Sequence, residues 1–163
     1  MTIVVRLGGP DDVDAAVSVY VRGGSARRGL PPSDERVAHV RAMLSSATTW
    51  FFVAVNGKDP VGMAAAMPSR ENQGAGDLVP GLCYLDLIFV VPERWGDHLG
   101  ALLLDTVTAD ARGRGFSRIH LLTHDDNERA HGLYASRGFA RTGWSRPASD
   151  PAAGTVSEWA RGL

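Results

Sequence analysis

Apolar residues along the chain follow two spacings, which predict strands in some segments and helices in others. Short β-branched or aromatic runs are typical of strands, whereas apolar residues at i, i+3, i+4 and i+7 are typical of helices. The predicted strands cover residues 3–7, 50–55, 61–67, 82–91, 117–123 and 139–144, with a last one over 154–161. The predicted helices cover 34–44, 99–112 and 127–137, and another follows Pro10.

Glycine and proline mark the boundaries between these elements. Gly23 and Gly24 are expected to end the first helix, and Ser33 is expected to cap the second. The polar segment 56–60 predicts a hairpin turn. Residues 68–81 contain three glycines and two prolines, so we expect a mobile loop there that acts as a lid.

The order of elements predicts an α/β fold with a mixed sheet. One strand and two helices are followed by a hairpin and then by alternating strands and helices, which favours a helical crossover between parallel strands. We expect six or seven mostly antiparallel strands, one local parallel β-α-β unit and about four helices. With 163 residues, the chain is expected to form a single domain over 1–163.

Composition narrows the range of functions. The net charge is −1, so no basic footprint argues for nucleic-acid binding. No apolar stretch approaches the ~20 residues that span a bilayer. Cys83 is the only cysteine, which excludes an internal disulfide and fits a reducing compartment. We therefore expect a cytoplasmic protein with no nucleic-acid or membrane partner, and we assign no metal site.

The segment from Val90 to Ala101 has the pattern of an anion-binding turn. A buried strand ends near Pro92, a short polar turn with Gly96 follows, and a helix then begins. The first amides of a helix have no internal partners and lie at the positive end of its dipole, which suits a pyrophosphate. The alternative is an ordinary strand-to-helix turn.

The segment from Asn127 to Phe139 forms a second pattern. Asn127 can cap a helix whose positions 127, 130 and 134 share one face, and Gly138 is a natural stop. Because Ala130 is small, this face of the helix has room for a ligand. The hydroxyl of Tyr134 is expected at the far end of the same face. The alternative is an amphipathic helix with a partly buried tyrosine.

Together the two segments resemble the GNAT superfamily of N-acetyltransferases over roughly residues 82–144. The family's helix signature is met residue for residue, by Asn127, Ala130, Leu133, Tyr134, Gly138 and Phe139. The turn signature is altered, because Trp95 stands where Arg or Gln is usual and His98 where glycine is usual. If position 98 requires a positive φ, histidine tolerates it better than a β-branched residue would.

The resemblance implies acetyl-coenzyme A as the cofactor and an acetyltransferase acting directly on an amine. It implies that Tyr134 protonates the leaving sulfur and that Asn127 approaches the pantetheine arm beside Ala130. The remaining cofactor contacts would come from the strand end and the turn, namely from Ile88, Phe89, Val90, Val91, Trp95, Gly96, Asp97, His98, Leu99, Gly100 and Ala101.

A base must accept the proton of the amine, and Asp86 is the first candidate. A carboxylate in a mostly apolar strand is costly unless it is solvated or paired. The alternative is a structural ion pair with one of the arginines. Tyr84, His120 and His124 are further polar groups on or near strand ends, more simply explained as structural or surface residues; His124 is the next to test. Cys83 is best explained as a small buried hydrophobe.

Two rival functions and several substrates stay open at this point. A non-catalytic acyl-CoA-binding domain would have the same fold. A nucleotide-binding domain would need a G-x-G-x-x-G fingerprint after its first strand, which is missing. The acceptor amine would be a small molecule or peptide. Acidic and basic side chains near the expected pocket conflict in sign, so they do not identify it: Glu71, Asp77, Asp86, Arg22, Arg27, Arg28 and Arg70. The sequence also leaves homodimerisation open.

Overall fold

The computed structural model describes residues 2–163 of the chain. Within that range, seven strands form one sheet in the order β1-β2-β3-β4-β5-β7-β6. The strands are β1 (Ile3–Leu7), β2 (Trp50–Asn56), β3 (Asp59–Arg70), β4 (Leu78–Val90), β5 (Arg118–His124), β6 (Ala140–Pro147) and β7 (Thr155–Gly162). Four α-helices accompany them: α1 (Val13–Arg28), α2 (Asp34–Leu44), α3 (Leu99–Gly113) and α4 (Glu128–Ser136).

The sheet is mixed, as the order of elements predicted. β1 pairs with β2, β2 with β3, β5 with β7, and β6 with β7, all antiparallel. β4 pairs with β5 in parallel, from Leu82 opposite Arg118 to Leu85 opposite Leu121. Helix α3 is the crossover of this parallel pair, which confirms the predicted β-α-β unit.

Packing divides the described chain into two compact units, the first made of residues 2–67 and 87–107. Its core combines apolar residues of α1 with the largely buried strands β2 and β3. In α1 these residues recur at helical spacing, as Val13, Ala16, Val17 and Tyr20. Ser33 caps α2 as predicted, because its hydroxyl accepts a hydrogen bond from the Arg36 amide at 3.2 Å.

The second unit comprises residues 68–86 and 108–163. Alternation along β5 buries Ile119, Leu121 and Thr123, the pattern of a strand with one covered face. Cys83 is fully buried, as expected of a small hydrophobe. β6 carries an irregularity between Arg141 and Ser145.

The prediction that the first helix ends at Gly23 and Gly24 is wrong. Helix α1 continues to Arg28 and is stopped by Gly29, whose φ is +80°. A Cβ on Gly23 would lie 3.0 Å from the carbonyl oxygen of Val90 and 3.2 Å from Cδ1 of Phe89. Glycine is present at position 23 because α1 packs closely against the end of β4.

The predicted mobile loop over residues 68–81 is also largely wrong. β3 extends to Arg70 and β4 begins at Leu78, so only about seven residues connect them. A backbone hydrogen bond of 2.9 Å from Glu71 to Asp77 closes that connection, which includes one short 3₁₀ turn. Pro68, Pro80 and Gly81 lie near the ends of these strands. Their presence in the sequence therefore did not indicate that the segment is paired in the sheet.

Over residues 2–163, no helix has both the length and the apolar character needed to cross a membrane.

Candidate active site

The turn between β4 and α3 is tightly folded. Residues 92–94 form a 3₁₀ turn, and the amides of Arg94 and Trp95 donate to the carbonyls of Val91 and Pro92 at 3.0 and 3.1 Å. The Asp97 amide donates to the Arg94 carbonyl at 3.2 Å. The Asp97 amide, which the resemblance assigned to the pyrophosphate, is therefore used within the turn.

Two residues of this turn adopt a left-handed conformation. Gly96 has φ +90° and His98 has φ +61°. The condition considered for position 98 is thus met by histidine, one of the residues that enter this region at a lower cost. A Cβ on Gly96 would meet nothing within 4 Å, so its backbone faces open space.

Helix α3 begins immediately after His98. The carbonyl of His98 accepts from the Leu102 amide at 3.1 Å, which is the first bond of the helical ladder. By helix geometry, the amides of Leu99, Gly100 and Ala101 have no partner inside the helix. They lie at the positive end of the dipole, so they fit a pyrophosphate such as that of coenzyme A.

The side chain of Trp95 adds a hydrogen bond to the backbone bonds of this turn. Its indole N–H donates to the carbonyl oxygen of Val90 at 2.9 Å, while the side chain stays 38% exposed. The amide of Val91 donates to the carbonyl of Val61 at 3.0 Å. Of the groups expected to bind pantetheine, the Val91 N–H and one acceptor site of the Val90 carbonyl are therefore already engaged.

Charged side chains around the turn are paired. Arg22 of α1 bonds Glu93 at 2.5 Å, and Arg94 lies 3.6 Å from Asp97. The backbone amide of Glu93 itself, followed by Arg22, lowers the pKa of the Glu93 carboxyl. Since Arg22 is paired with Glu93, its charge is already balanced within the first unit, and it is a weaker candidate for binding an acceptor carboxylate.

Helix α4 has the caps that its sequence predicted. The side-chain oxygen of Asn127 accepts from the Ala130 amide at 3.4 Å. Gly138 has φ +86°, and the Phe139 amide donates to the Tyr134 carbonyl at 3.0 Å, which closes the helix. Asn127 is therefore a structural cap whether or not it also contacts a ligand.

Tyr134 is buried in the second unit. Its ring centroid lies 5.9 Å from that of Phe139 and 6.4 Å from that of Trp159, and only 5% of the residue is exposed. Burial raises the pKa of Tyr134 to about 12. The phenol therefore keeps its proton throughout the neutral and moderately alkaline range, so it is available as a hydrogen-bond donor and does not act as a phenolate base.

The candidate bases occupy different environments in the second unit. Asp86 is half-buried in β4, two residues beyond Tyr84. The carbonyl of His124 accepts from the Asn127 amide at 3.0 Å and from the His131 ring at 3.1 Å. The backbone of His124 thus helps to hold the start of α4.

His120 is part of a network that the sequence did not predict. Its Nε2 lies 2.7 Å from the hydroxyl of Ser69, and its Nδ1 lies 2.8 Å from a carboxylate oxygen of Glu158. Ser69 was assigned to a loop, and Glu158 lies in a strand 38 residues further along the chain. No spacing rule links these positions, because only the strand order brings them together.

Comparison of the sequence with known protein families identifies the family of this chain. Residues 18–139, three quarters of the chain, match the acetyltransferase (GNAT) family. This chain belongs to the GNAT acetyltransferase family. The match includes both the altered turn at Trp95 and His98 and the capped helix α4.

Individual GNAT relatives support the family and the fold. The chain is 32% identical over 129 residues to serotonin N-acetyltransferase 2, chloroplastic, of Oryza sativa subsp. japonica, covering 79% of this chain and 56% of that protein. It therefore spans little more than half of that relative's length.

Solved structures with low identity share the fold. The ribosomal-protein-S18-alanine N-acetyltransferase of Escherichia coli has a TM-score of 0.75 at 20% identity, covering 99% of this chain and 94% of that one. The PaiA N-acetyltransferase of Thermoplasma acidophilum, solved in complex with coenzyme A, has a TM-score of 0.68 at 15% identity, covering 97% and 98%. The predicted GNAT-like fold is confirmed, and the family match confirms that the chain is a member of the acetyltransferase (GNAT) family; coenzyme A is bound in the PaiA structure.

Proposed function

We propose that this GNAT protein transfers an acetyl group directly from acetyl-coenzyme A to an amine of a small molecule or peptide. The observation that carries the proposal is the turn from Trp95 to Ala101. Despite its two unusual residues, it presents three helix-start amides and an open Gly96 backbone. Such a turn fits a pyrophosphate, which is a negatively charged part of the cofactor.

Within this proposal, the backbone of the turn binds and orients the cofactor. The amides of Leu99, Gly100 and Ala101 hold the pyrophosphate, and backbone groups of Ile88 and Phe89 bond the amide-rich pantetheine arm. Acetyl-coenzyme A supplies the activated acyl group. Since backbone amides make these contacts, replacement of the usual Arg or Gln by Trp95 leaves them in place.

The transfer forms a bond from the amine nitrogen to the carbonyl carbon and breaks the bond from that carbon to sulfur. The amine attacks as a neutral group, so its proton passes to a base, for which we propose Asp86 or water adjoining it. The carbonyl oxygen gains charge during attack, and a backbone N–H near Val90 would stabilise it.

The pKa of Tyr134 defines its part in the reaction. A phenol with a pKa of about 12 is a weaker acid than a thiol, whose ordinary pKa is about 8.5. Complete proton transfer from Tyr134 to the departing sulfur is therefore uphill. We propose that Tyr134 donates a hydrogen bond to the developing thiolate, and that the proton which ends on sulfur comes from solvent or from the amine.

The acceptor is an amine in this proposal, and the rice relative suggests where to begin. Its name specifies serotonin, so arylalkylamines are the first acceptors to test. Polyamines, amino acids and peptide N-termini complete the panel, since acidic and basic groups near the expected pocket favour opposite charges.

The experiment follows release of free thiol when the purified protein is mixed with acetyl-coenzyme A and each amine. We expect thiol release that depends on at least one amine, with a product heavier by one acetyl group in a mass spectrum. Cofactor binding without thiol release across the whole panel would instead indicate a non-catalytic acyl-CoA-binding domain.

A further inference from the structure

A row of polar side chains crosses the second unit, with one residue from each of five neighbouring strands. In the spatial order β3, β4, β5, β7, β6, these residues are Ser69, Tyr84, His120, Glu158 and Thr142. The row is distinct from the GNAT signature positions in the turn and in α4. The acetyl transfer proposed above uses none of these five side chains.

The hydrogen bonds in the row have a defined direction. The hydroxyl of Thr142 donates to one oxygen of Glu158 at 2.6 Å, and the other oxygen lies 2.8 Å from Nδ1 of His120. An ionised carboxylate only accepts, so Nδ1 carries the proton. In the neutral imidazole, this leaves the Nε2 lone pair directed at the Ser69 hydroxyl, 2.7 Å away.

This is the connectivity of an activated serine nucleophile. A hydroxyl bonds an imidazole that can take its proton, and a carboxylate on the opposite ring nitrogen fixes the tautomer and the orientation. We propose that Ser69, His120 and Glu158 form a second reactive centre, in which Ser69 accepts the acyl group of small activated esters.

Burial limits which esters can react. Ser69 is only 4% exposed, whereas the side chains of His120 and Glu158 are 15% and 24% exposed. The ring of Tyr84 lies 5.0 Å from that of His120 and covers one side of the imidazole. A short acyl group can reach a hydroxyl in such a position more readily than a long or branched one, so acetyl esters are the substrate class.

The reaction balances with water as the co-reactant. The Ser69 oxygen bonds to the acyl carbon while its proton passes to Nε2 of His120. The bond to the leaving alcohol breaks, and the alcohol takes that proton. Water then attacks the acyl-serine by the same route in reverse, which releases the carboxylic acid and restores the Ser69 hydroxyl.

A second buried serine supplies a matched control. Ser157 is 6% exposed, and its hydroxyl donates to the carboxylate of Asp125 at 2.6 Å. It thus has burial and a carboxylate partner similar to those in the row. Its hydroxyl bonds Asp125 and Arg141, and neither of these partners is an imidazole like that of His120.

The test is covalent labelling of the full chain with methanesulfonyl fluoride, whose sulfonyl group carries only a methyl and so fits the size limit set by burial, followed by peptide mass spectrometry. We expect a single sulfonyl adduct on Ser69 in the unmodified protein, so the result does not depend on any variant folding. Ser69→Ala should lose the adduct and Ser157→Ala should keep it. His120→Ala should slow labelling by about 10²–10⁴-fold, the usual contribution of a general base.

A second experiment measures the hydrolysis of p-nitrophenyl acetate by the purified protein. We expect turnover that Ser69→Ala abolishes and Glu158→Gln reduces, with circular dichroism confirming that each variant is folded. An unlabelled Ser69 in the folded unmodified protein, or labelling spread over other serines, overturns the proposal. Neither outcome bears on acetyl-coenzyme A or amines, so failure here is distinguishable from failure of the proposed acetyltransferase.

Discussion

The indole N–H of Trp95 donates a hydrogen bond to the carbonyl oxygen of Val90, at 2.9 Å. Trp95 stands where the family usually has Arg or Gln, and its side chain links the turn between β4 and α3 to the end of β4. This contact within the protein stabilises one conformation of the turn, and a turn held by its own contacts loses less entropy when a ligand binds.

Replacing Trp95 with phenylalanine should weaken coenzyme A binding. The change keeps an aromatic ring and removes one hydrogen bond, whose net contribution is about 0.5–1.5 kcal/mol. We expect the dissociation constant to rise about 2- to 10-fold. Trp144, on β6 and 41% exposed, provides the control, since Trp144→Phe should leave it unchanged. Equal affinity of W95F and unmodified protein would show that the bond does not organise the turn.

Gly23 and Gly24 should respond in opposite ways to alanine. In a helix, alanine is favoured over glycine by about 1 kcal/mol. Gly24→Ala meets its nearest atoms at 3.8 Å, so we expect the free energy of unfolding to rise by up to this amount. Gly23→Ala would place its Cβ 3.0 Å from the Val90 oxygen, so we expect that gain to be lost. Urea denaturation measures both; a stabilised G23A contradicts the close packing of α1 on β4.

At position 98, glycine should stabilise the protein more than alanine does, the opposite of their order inside a helix. At φ +61°, a Cβ is strained by about 1–2 kcal/mol, and glycine is not. We expect His98→Gly to have a higher free energy of unfolding than His98→Ala by about 1 kcal/mol. The exposed helical residue Ala135 supplies the comparison, because Ala135→Gly should lower stability by about the same amount. Greater stability of H98A than of H98G would exclude the left-handed conformation.

Replacing Tyr134 with phenylalanine should lower kcat and leave the affinity for coenzyme A unchanged. Losing one preorganised donor to a developing negative charge costs about 10²–10³-fold in rate. Because the pKa of Tyr134 is raised to about 12, the phenol stays protonated from pH 7 to 10. The ratio of the two rates should therefore be constant over that range. A ratio that falls towards one as the pH approaches 10 would mean that Tyr134 titrates normally.

Local signals in the sequence were sufficient for most of the fold. Ile3–Leu7 and Asp34–Leu44 have the predicted bounds, and α4 begins and ends at its predicted caps. These elements are specified by neighbouring residues: alternating or helical apolar spacing, a capping side chain, and a glycine with positive φ. The turn after Val90 was predictable for the same reason.

Long-range contacts account for what the sequence could not predict. Gly23 resembles a helix stop, but it lies inside α1 because of its contact with β4. Ser69 resembles a loop residue, but it is buried in a strand beside His120. The bond from Trp95 to Val90 belongs to the same class, since only the folded turn brings the two groups together.

Calorimetric titration of the purified chain with coenzyme A tests the central claim most directly. The account predicts saturable binding with one site per chain, weakened in W95F and retained in Y134F. Absence of binding heat at several temperatures, with the protein shown to be folded, would contradict the assignment of the turn from Trp95 to Ala101 as the cofactor site.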